Sequence, residues 1–579
     1  MIRPRLEWLL PEPLFDPPAF AGFGPPVATL LARRGFRTQP ELDTFLGAGA
    51  QSLHPVELMA DAGVALDRLE TAVDRGERIA IWGDYDADGM SAVAVWAVAL
   101  RALGAEAVRH VPSRLAEGYG MSTSGLERLS GLGVTLVVTC DCGVGNVAEV
   151  EHARGLGIEV IVTDHHLPGG ELPRAVAVVD PHRPDCEYPD PDLTGAGIAY
   201  KLASALVKRR GAQVSDLAAL AAIGTVADMA PMTGESRAIV RLGLAEMAAT
   251  QRAGLRALLA RACERPERPT ARDLAFTLAP RVNAAGRIDE AELAISLLLE
   301  EDPEAAERGA QALEDVHLRR REMTVSAVNS ARAMVEGLEG TGPIVVREDS
   351  WAPGIIGLVA GRLAEDLSRP VAAAVLVGAE VRGSVRAPDD FHAAHGLEAC
   401  AHLLTKRGGH AGAGGFSLLP EMWDAFVTAF GALARPYPPG AETVLRVAGR
   451  MEVDLVLPAR HLGWRLADEL DRLAPYGPGH REPLLAITGL RVGSVRRVGA
   501  DGGHLAFRML RGAETMDAIA FSMPADRPVP EEGALVDLLG TLERDTFQGQ
   551  ARLRIRVVDY ASADASPLAA RRRAAQPTT

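Results

Sequence analysis

Two α/β lobes joined by a long helix and followed by a small C-terminal β-barrel form the architecture that this 579-residue sequence predicts. Between about residues 78 and 180, short and continuously apolar runs alternate with helical segments. That is the pattern of a buried parallel sheet with helices on its faces. The alternation resumes after Gly337, beyond a long charged stretch that has no proline after Pro303. From about Val444 the apolar period shortens to two, as in the half-buried strands of an antiparallel barrel.

In chain order, residues 1–75 are broken up by prolines and carry short helical patches such as 40–46. The first strand reads Ile79-Ala80-Ile81-Trp82, and a small-residue helix over 91–103 stops at Gly104. Strands over 134–138, 158–162 and 175–179 follow, the first two separated by a helix over 146–154. The chain then reads as helical from about Leu193 to Gly337, and its last part, 302–337, is the exposed helix that joins the lobes. The second lobe comprises a strand over 344–346, a helix over 354–367, strands over 371–377 and 381–385, and a helix over 392–404. Barrel strands are expected over 445–455, 484–495, 505–510, 517–521, 535–542 and 552–558. The Ala/Arg/Ser-rich end reads as a tail or a linker. The domain boundaries this implies are an N-terminal segment 1–75, a catalytic lobe 76–235, a helical region 236–337, a second lobe 338–437, a barrel 438–560 and a tail 561–579.

Apolar residues make up 47% and charged residues 24% of the chain, values of a soluble globular protein. No run of 18 or more uncharged apolar residues occurs, so no helical membrane span is expected. Met1-Ile2-Arg3-Pro4-Arg5 leads into proline-broken sequence rather than an apolar signal core, which points to the cytoplasm. Cys140, Cys142, Cys186, Cys263 and Cys400 are scattered and form no C-x-x-C pair, so they read as reduced core thiols rather than disulfides or a zinc ribbon. A net charge of −15 argues, alone, against a nucleic-acid partner. Acids gathered at a metal site are, however, neutralised by the ions they bind. Only Lys201, Lys208 and Lys406 are lysines, and the arginines that supply the remaining positive charge fork onto phosphate in two hydrogen bonds.

The chemistry concentrates in Gly83-Asp84-Tyr85-Asp86-Ala87-Asp88-Gly89. Three carboxylates alternate between a strand and a helix, and their mutual repulsion calls for hard divalent cations such as Mg²⁺ or Mn²⁺. The D-x-D-x-D-G spacing also occurs in EF-hand loops, but Val95 stands where such a loop needs its glutamate, and a strand precedes the motif. Asp141 ends the next strand and Asp164-His165-His166 the one after. Asp228 follows an apolar helical run. Ligands gather at the carboxyl ends of strands in an open parallel sheet, so these acids and histidines are expected along one edge.

Together, Asp84-x-Asp86-x-Asp88-Gly89, Asp141-x-Gly143, Asp164-His165-His166 and Gly224-Thr225-Val226-Ala227-Asp228 resemble the four motifs of the DHH phosphoesterases, in the same order. Ala279-Pro280-Arg281-Val282-Asn283-Ala284-Ala285-Gly286-Arg287 is similar to a segment of the RecJ branch of that family. Arg407-Gly408-Gly409-His410-Ala411-Gly412-Ala413-Gly414-Gly415-Phe416 resembles the glycine-rich mark of the associated DHHA1 domain. The likeness spans roughly residues 75–560. One departure is Gly383-Ser384-Val385-Arg386-Ala387, where relatives commonly carry a second serine in place of Ala387.

The resemblance implies a DHH domain, a DHHA1 domain and an OB-like barrel. It implies a 5′→3′ exonuclease specific for single-stranded DNA, acting in DNA repair and recombination with two divalent ions, Mn²⁺ or Mg²⁺. Asp88, Asp141, His165 and Asp228 would hold one ion, and Asp86, Asp141 and Asp84 the other. Asp86, Asp141 and His166 would be catalytic, His166 meeting the scissile phosphate or the leaving group. Substrate contacts would come from Arg114, Tyr119, Arg281, Asn283, Arg287, Ser384, Arg386, Gly408, Gly409 and His410, with Arg114 clamping a 5′ phosphate and Tyr119 offering a ring to a base. Arg491, Arg496, Arg497, Arg508, Arg511, Arg552, Arg554 and Arg556 on the barrel are expected to line a groove for the DNA backbone. The implied partners are single-stranded DNA, a single-strand-binding protein and a helicase, for a monomer that meets no membrane. The alternatives are a DHH phosphodiesterase of short oligonucleotides or cyclic dinucleotides, which would lack the barrel, and a non-catalytic replication scaffold, which would have lost ligands.

Overall fold

Why acids meet at one edge follows from the register of a single sheet. Strands β1 (Ile79–Gly83), β2 (Val108–His110), β3 (Leu136–Cys140), β4 (Glu159–Thr163) and β5 (Ala177–Val179) lie in the order β2-β1-β3-β4-β5, all parallel. β1 and β3 are buried along their whole length, as their unbroken apolar runs require. Gly83 lies opposite Cys140, and Thr163 opposite Val179. β1, β3, β4 and β5 therefore end at one edge, and the next residue of each is an aspartate: Asp84, Asp141, Asp164 and Asp180. Helices α1 (Ala87–Ala102), α2 (Gly195–Arg209) and α3 (Leu217–Ala227) pack on one another within this core.

The computed structural model describes every residue except 15, 114–117, 339, 436–449, 500–501, 513, 525, 548–549, 570 and 572–579. Two compact units result, residues 48–445 with 477–479, and residues 1–47 with 446–476 and 480–579.

In the first unit, α4 (Ala279–Ile288) packs on α5 (Pro303–Val335), the expected long helix, whose first turn is capped by the Asp302 carboxylate accepting from the Ala305 amide at 2.8 Å. The second lobe is a five-stranded sheet of β6 (Ile344–Arg347), β7 (Val371–Val377), β8 (Glu380–Arg386), β9 (Lys406–Gly409) and β10 (Ala413–Leu418), ordered β9-β10-β8-β7-β6. Only β6 and β7 run parallel. The helix α6 (Ile356–Leu367) packs against β7 and β8. The glycine-rich segment is thus a pair of strands rather than a loop.

The second unit carries strands β11 (Leu455–Pro458), β12 (Leu485–Val498), β13 (His504–Arg511), β14 (Glu514–Ala520), β15 (Leu535–Phe547) and β16 (Gln550–Ser562). The order β12-β13-β14-β16-β15 closes on itself through pairing of β15 with β12, a five-stranded barrel with β11 added beside β12.

Three expectations need correction here. Residues 1–75 are not one segment. Phe20, Phe23, Val27, Leu30, Leu31 and Leu42 share a core with the barrel, whereas the helix Ala62–Asp74 belongs to the first unit. A stretch so rich in proline holds too little apolar surface to fold alone, so it borrows a core at each end. The chain does not become a tail at Ala561, because β16 runs to Ser562, the Ser566 hydroxyl donates to Asp537, and Leu568 is buried. The barrel arginines are largely engaged within the protein. Arg552 bridges Asp517 and Asp545, Arg554 reaches Asp545 and Glu543, and Arg508 and Arg511 face Asp517 and Glu514. Alternating charges on neighbouring strands pair across the ladder, which a reading of the basic positions alone misses. The expected barrel strand at 445–455 lies partly outside the described residues. Its last part forms the strand Arg450–Glu452, paired in parallel with Glu7–Leu9.

Asp559 fastens the N-terminal segment to the barrel. Fully buried, it accepts from the Arg5 and Leu6 amides and from Trp8 Nε1, and it pairs with Arg527 at 3.0 Å. Asp559→Ala takes the counter-charge from the half-buried Arg527 and leaves four donors, the amides of Arg5, Leu6 and Tyr560 and Trp8 Nε1, unpaired. The expected loss is about 3–5 kcal/mol in denaturant unfolding of this unit. A loss below about 1 kcal/mol would mean that water replaces the carboxylate. Among the described residues no helix is long and apolar enough to cross a membrane.

Candidate metal centre

The aspartate-rich turn after β1 is built by backbone economy. Asp86 caps α1, its carboxylate accepting from the amides of Asp88 at 2.9 Å and Gly89 at 3.1 Å. Asn283 on α4 receives the Ala87 amide at 2.9 Å and so holds the turn from the other side. Asp88 turns inward to the N-terminus of α2, where the amides of Gly195 (2.7 Å) and Ala196 (3.0 Å) donate to its two oxygens. Glycine is required where α2 and α3 press on this cluster. A Cβ on Gly195 would stand 2.5 Å from Asp141 Cβ, and one on Gly224 2.3 Å from Asp88 Oδ1. Asp141 itself has φ +63°, a left-handed conformation that aspartate tolerates better than most residues.

Two separate groups of ligand atoms converge, each within 4.8 Å: Asp88, His165 and Asp228, and Asp84, Asp86 and Asp141; a third set, Asp141, His165 and His166, overlaps both. His165 Nε2 lies 2.9 Å from Asp141 Oδ1, 3.8 Å from Asp228 and 3.9 Å from Asp88, so it links the two groups. Burial lowers the His165 pKa to about 4, helped by the charge of His166, which leaves a neutral imidazole free to ligate. Burial, followed by the charges of neighbouring carboxylates, pushes Asp88 and Asp141 well above the usual carboxylate range, and Asp228 to about 6. Acids crowded in this way gain from a bound cation. The oxygen and imidazole donors suit hard divalent ions, and two ions fit the two groups. Cys140 and Cys142 flank Asp141, but burial drives both thiols up, so neither offers a thiolate.

His166 lies at the edge of this cluster, its Nδ1 3.9 Å from Asp141 Oδ1. Its Nδ1 lies 2.8 Å from Asp164 Oδ1 and 3.1 Å from the Tyr119 hydroxyl, which also donates to the Asp141 carbonyl at 3.2 Å. Asp164 is itself fixed by the His165, His166 and Val144 amides. Burial alone would lower the His166 pKa, but the hydrogen bond and charge of Asp164 outweigh it and raise the value to about 9. Among the described residues its Nε2 meets no protein acceptor.

The remaining expected contacts divide. Ser384 and Arg386 lie together on β8, with Arg386 Nη1 donating to Ser384 Oγ at 2.9 Å. The first turn of α6 packs on both, since a Cβ on Gly357 would stand 3.1 Å from Arg386 and 3.2 Å from Ser384. Gly408 and Gly409 form the exposed edge of β9, and the His410 amide donates to the Ala413 carbonyl. Arg287 donates to the Gly354 carbonyl at 3.3 Å, where α4 meets the second lobe. Arg281 departs from the expected substrate role, because Glu314 on α5 engages it through Nε at 2.6 Å and Nη2 at 3.2 Å. Asn283 likewise serves the metal turn. Arg114 lies outside the described residues.

Three features of the centre escaped the sequence reading. The amides of Gly195 and Ala196 were signalled by Thr194-Gly195-Ala196-Gly197, a cap followed by small residues. Asp164, to which the sequence assigned no role of its own, braces His166 through Nδ1 at 2.8 Å. Asp180, fully buried at the end of β5, completes the row of four strand-end acids, and burial raises it to about 7 although the His182 amide donates to it.

Known proteins resemble this chain in each of its domains. The DHH family N-terminal domain matches residues 78–225, the DHHA1 domain 340–435 and the RecJ OB domain 453–559. A relative from Salmonella typhimurium, the single-stranded-DNA-specific exonuclease RecJ, is 32% identical over 564 residues, covering 93% of this chain and 96% of the relative. A crystal structure of RecJ from Thermus thermophilus in complex with Mn²⁺ superposes with a TM-score of 0.79 at 31% identity, over 96% of this chain and 80% of that one. A second structure of that protein, in complex with Mg²⁺, gives 0.74 at 30% identity, over 97% and 79%.

Proposed function

Because the chain belongs to the RecJ family, we propose that it is a metal-dependent exonuclease that digests single-stranded DNA from the 5′ end and releases 5′-mononucleotides. The observation that carries this reading is the pair of converging acid and imidazole groups at the carboxyl edge of one sheet, linked by the His165–Asp141 contact.

Asp88, His165 and Asp228, with Asp141, would hold one cation, and Asp84, Asp86 and Asp141 the other. Two bound divalent ions, Mn²⁺ or Mg²⁺, supply the charge that activates a water and steadies the leaving oxygen of a phosphodiester. His166, braced by Asp164 and Tyr119, presents Nε2 to the phosphate and protonates the departing 3′ oxygen. The P–O3′ bond breaks, the terminal nucleotide leaves with a 3′ hydroxyl, and the shortened strand keeps a 5′ phosphate. In the second lobe, Arg386 and Ser384, with the exposed Gly408-Gly409 edge, would cradle the terminal 5′ phosphate beside the first turn of α6. Arg114 would add a clamp.

The complete acid and histidine set speaks against a scaffold, and the barrel against a hydrolase of short substrates. A role in DNA repair and recombination, a cytoplasmic location, a monomeric state and work beside a single-strand-binding protein and a helicase belong to the same reading. The ion-paired face of the barrel assigns it a smaller share of phosphate binding than its arginine count suggests.

Arg386→Ala tests the polarity. It is expected to raise KM for a 5′-phosphorylated strand about tenfold or more, the worth of a charge-assisted hydrogen bond. A strand with a 5′ hydroxyl should change little. Equal losses on both ends would move the 5′-phosphate site elsewhere.

A further inference from the structure

The hairpin of β9 and β10 ends in a tip, His410-Ala411-Gly412, that is gripped from both sides. The Ala387 amide, just past β8, donates to the Gly412 carbonyl at 3.0 Å. The amides of Ala393 and Ala394 donate to the carbonyls of Ala411 at 2.7 Å and His410 at 3.3 Å. Ala393 opens a short helix, Ala393–Ala399, capped by the His392 side chain, whose Nδ1 accepts from the His395 amide at 3.3 Å. Serine or asparagine would suffice for the cap alone. Imidazole adds a second nitrogen. The His392 ring also stacks on that of His395, 3.7 Å between centres and 9° from parallel. His410 Nδ1 is engaged in the same way as that of His392, accepting from the Gly412 amide at 3.4 Å. In a neutral ring, an Nδ1 that accepts leaves the proton on Nε2. Burial, and then the charges that His395 and His410 would carry, hold the His392 pKa below the usual imidazole value, so its neutral form prevails at pH 7. Among the described residues, Nε2 of His392 and of His410 meets no protein acceptor. Both rings therefore offer a donor and no acceptor.

We propose that His392 and His410, with His395 stacked behind His392, form a platform of Nε2–H donors that takes an internal phosphodiester of the substrate strand. The inference rests on the single-strand exonuclease reading and names a further point at which the second lobe holds the strand. A metal ion needs the Nε2 lone pair that this tautomer lacks. Base edges mix donors with acceptors, whereas the free oxygens of a phosphodiester only accept, so a donor-only platform suits the phosphate. Such a contact positions the strand and carries no sequence information. The platform is also distinct from the Arg386 cradle. Gly414 pairs with Val385, and a Cβ on it would meet Leu397, so the helix Ala393–Ala399 packs on the sheet face opposite Arg386 and Ser384. The phosphate it meets is therefore not the terminal one that Arg386 would hold.

The test is a cycle between protein and substrate, with the full chain in Mn²⁺. Every strand is 5′-phosphorylated and carries a non-hydrolysable methylphosphonate as its first link, so that binding reaches equilibrium. A second methylphosphonate, which lacks the charged oxygen, or an abasic residue is then placed at one of the next few positions. Proteins are the parent, His392→Ser and His410→Asn. Serine still caps the helix and asparagine still offers an acceptor to the Gly412 amide, so both should keep the thermal midpoint of the parent. Each should weaken binding about three- to tenfold, the worth of a neutral hydrogen bond. His392→Ser should keep the slope of log affinity against log salt, because a neutral donor displaces no counterion, whereas loss of a cationic contact would make the slope shallower by about 0.7. One methylphosphonate position should weaken the parent and add little to the loss in the variants. Variants that bind like the parent, or methylphosphonate losses that multiply at every position, overturn the platform while leaving the exonuclease reading in place. So do a shallower slope in His392→Ser and a variant loss that an abasic residue absorbs and methylphosphonate does not. A parent that digests no unmodified single strand overturns that reading, and the platform with it.

Discussion

Asp141→Asn should lower turnover of single-stranded DNA by about a thousandfold or more, because the residue touches both groups of candidate ligands. Loss of the shared carboxylate weakens both cations, and the charge they supply is worth several kcal/mol in the transition state. Asparagine is the informative replacement. It tolerates the left-handed φ of +63° that Asp141 adopts, so the turn keeps its path and only the charge is lost. DNA binding measured in chelator should stay within a few-fold of the parent or tighten, since one negative charge has gone from a buried acidic cluster. Single-turnover digestion of a labelled strand, with bound Mn²⁺ counted in the same samples, checks both statements. Retained turnover with two ions still bound would remove Asp141 from its bridging position.

His166→Ala should cost about 10²–10⁴ in kcat, the range for a positioned proton donor, and should leave two ions bound. The distinction from Asp141 follows from geometry, because Asp164 and Tyr119 occupy His166 Nδ1 while His165 Nε2 faces the carboxylates. Tyr119→Phe removes the contact with His166 but keeps the ring, and should cost about tenfold or less. If His166→Ala loses an ion, the histidine is a ligand and the leaving oxygen takes its proton from water.

Much of this centre was legible because its parts obey local rules. Apolar runs of buried parallel strands mark where β1, β3 and β4 end, and Asp84, Asp141 and Asp164 follow at once. What stayed hidden depends on contacts distant in sequence. Gly195 reads as a helix start, yet its amide donates to Asp88 more than a hundred residues earlier. Asp180 follows the strand expected at 175–179, and only the alignment of Val179 with Thr163 across the sheet reveals it as a fourth strand-end acid. The pairing of β9 with β10 was masked by glycine, which is depleted in strands and here permits close packing of Phe416 over Gly383. Arg281 and Arg552 look like phosphate ligands until Glu314, Asp517 and Asp545 arrive from elsewhere in the chain. Basic residues announce their charge in sequence, but acidic partners brought by folding decide whether it is free.

One measurement addresses the central claim most directly. Single strands blocked at the 5′ end, strands blocked at the 3′ end and blunt duplexes are incubated with Mn²⁺, with Mg²⁺ or with excess chelator, and the products are resolved by length. A two-ion exonuclease entering at the 5′ end degrades the 3′-blocked strand to mononucleotides in metal, spares the 5′-blocked strand and the duplex, and stops in chelator. Digestion of the 5′-blocked strand with the 3′-blocked one intact, or turnover that persists in chelator, would contradict it.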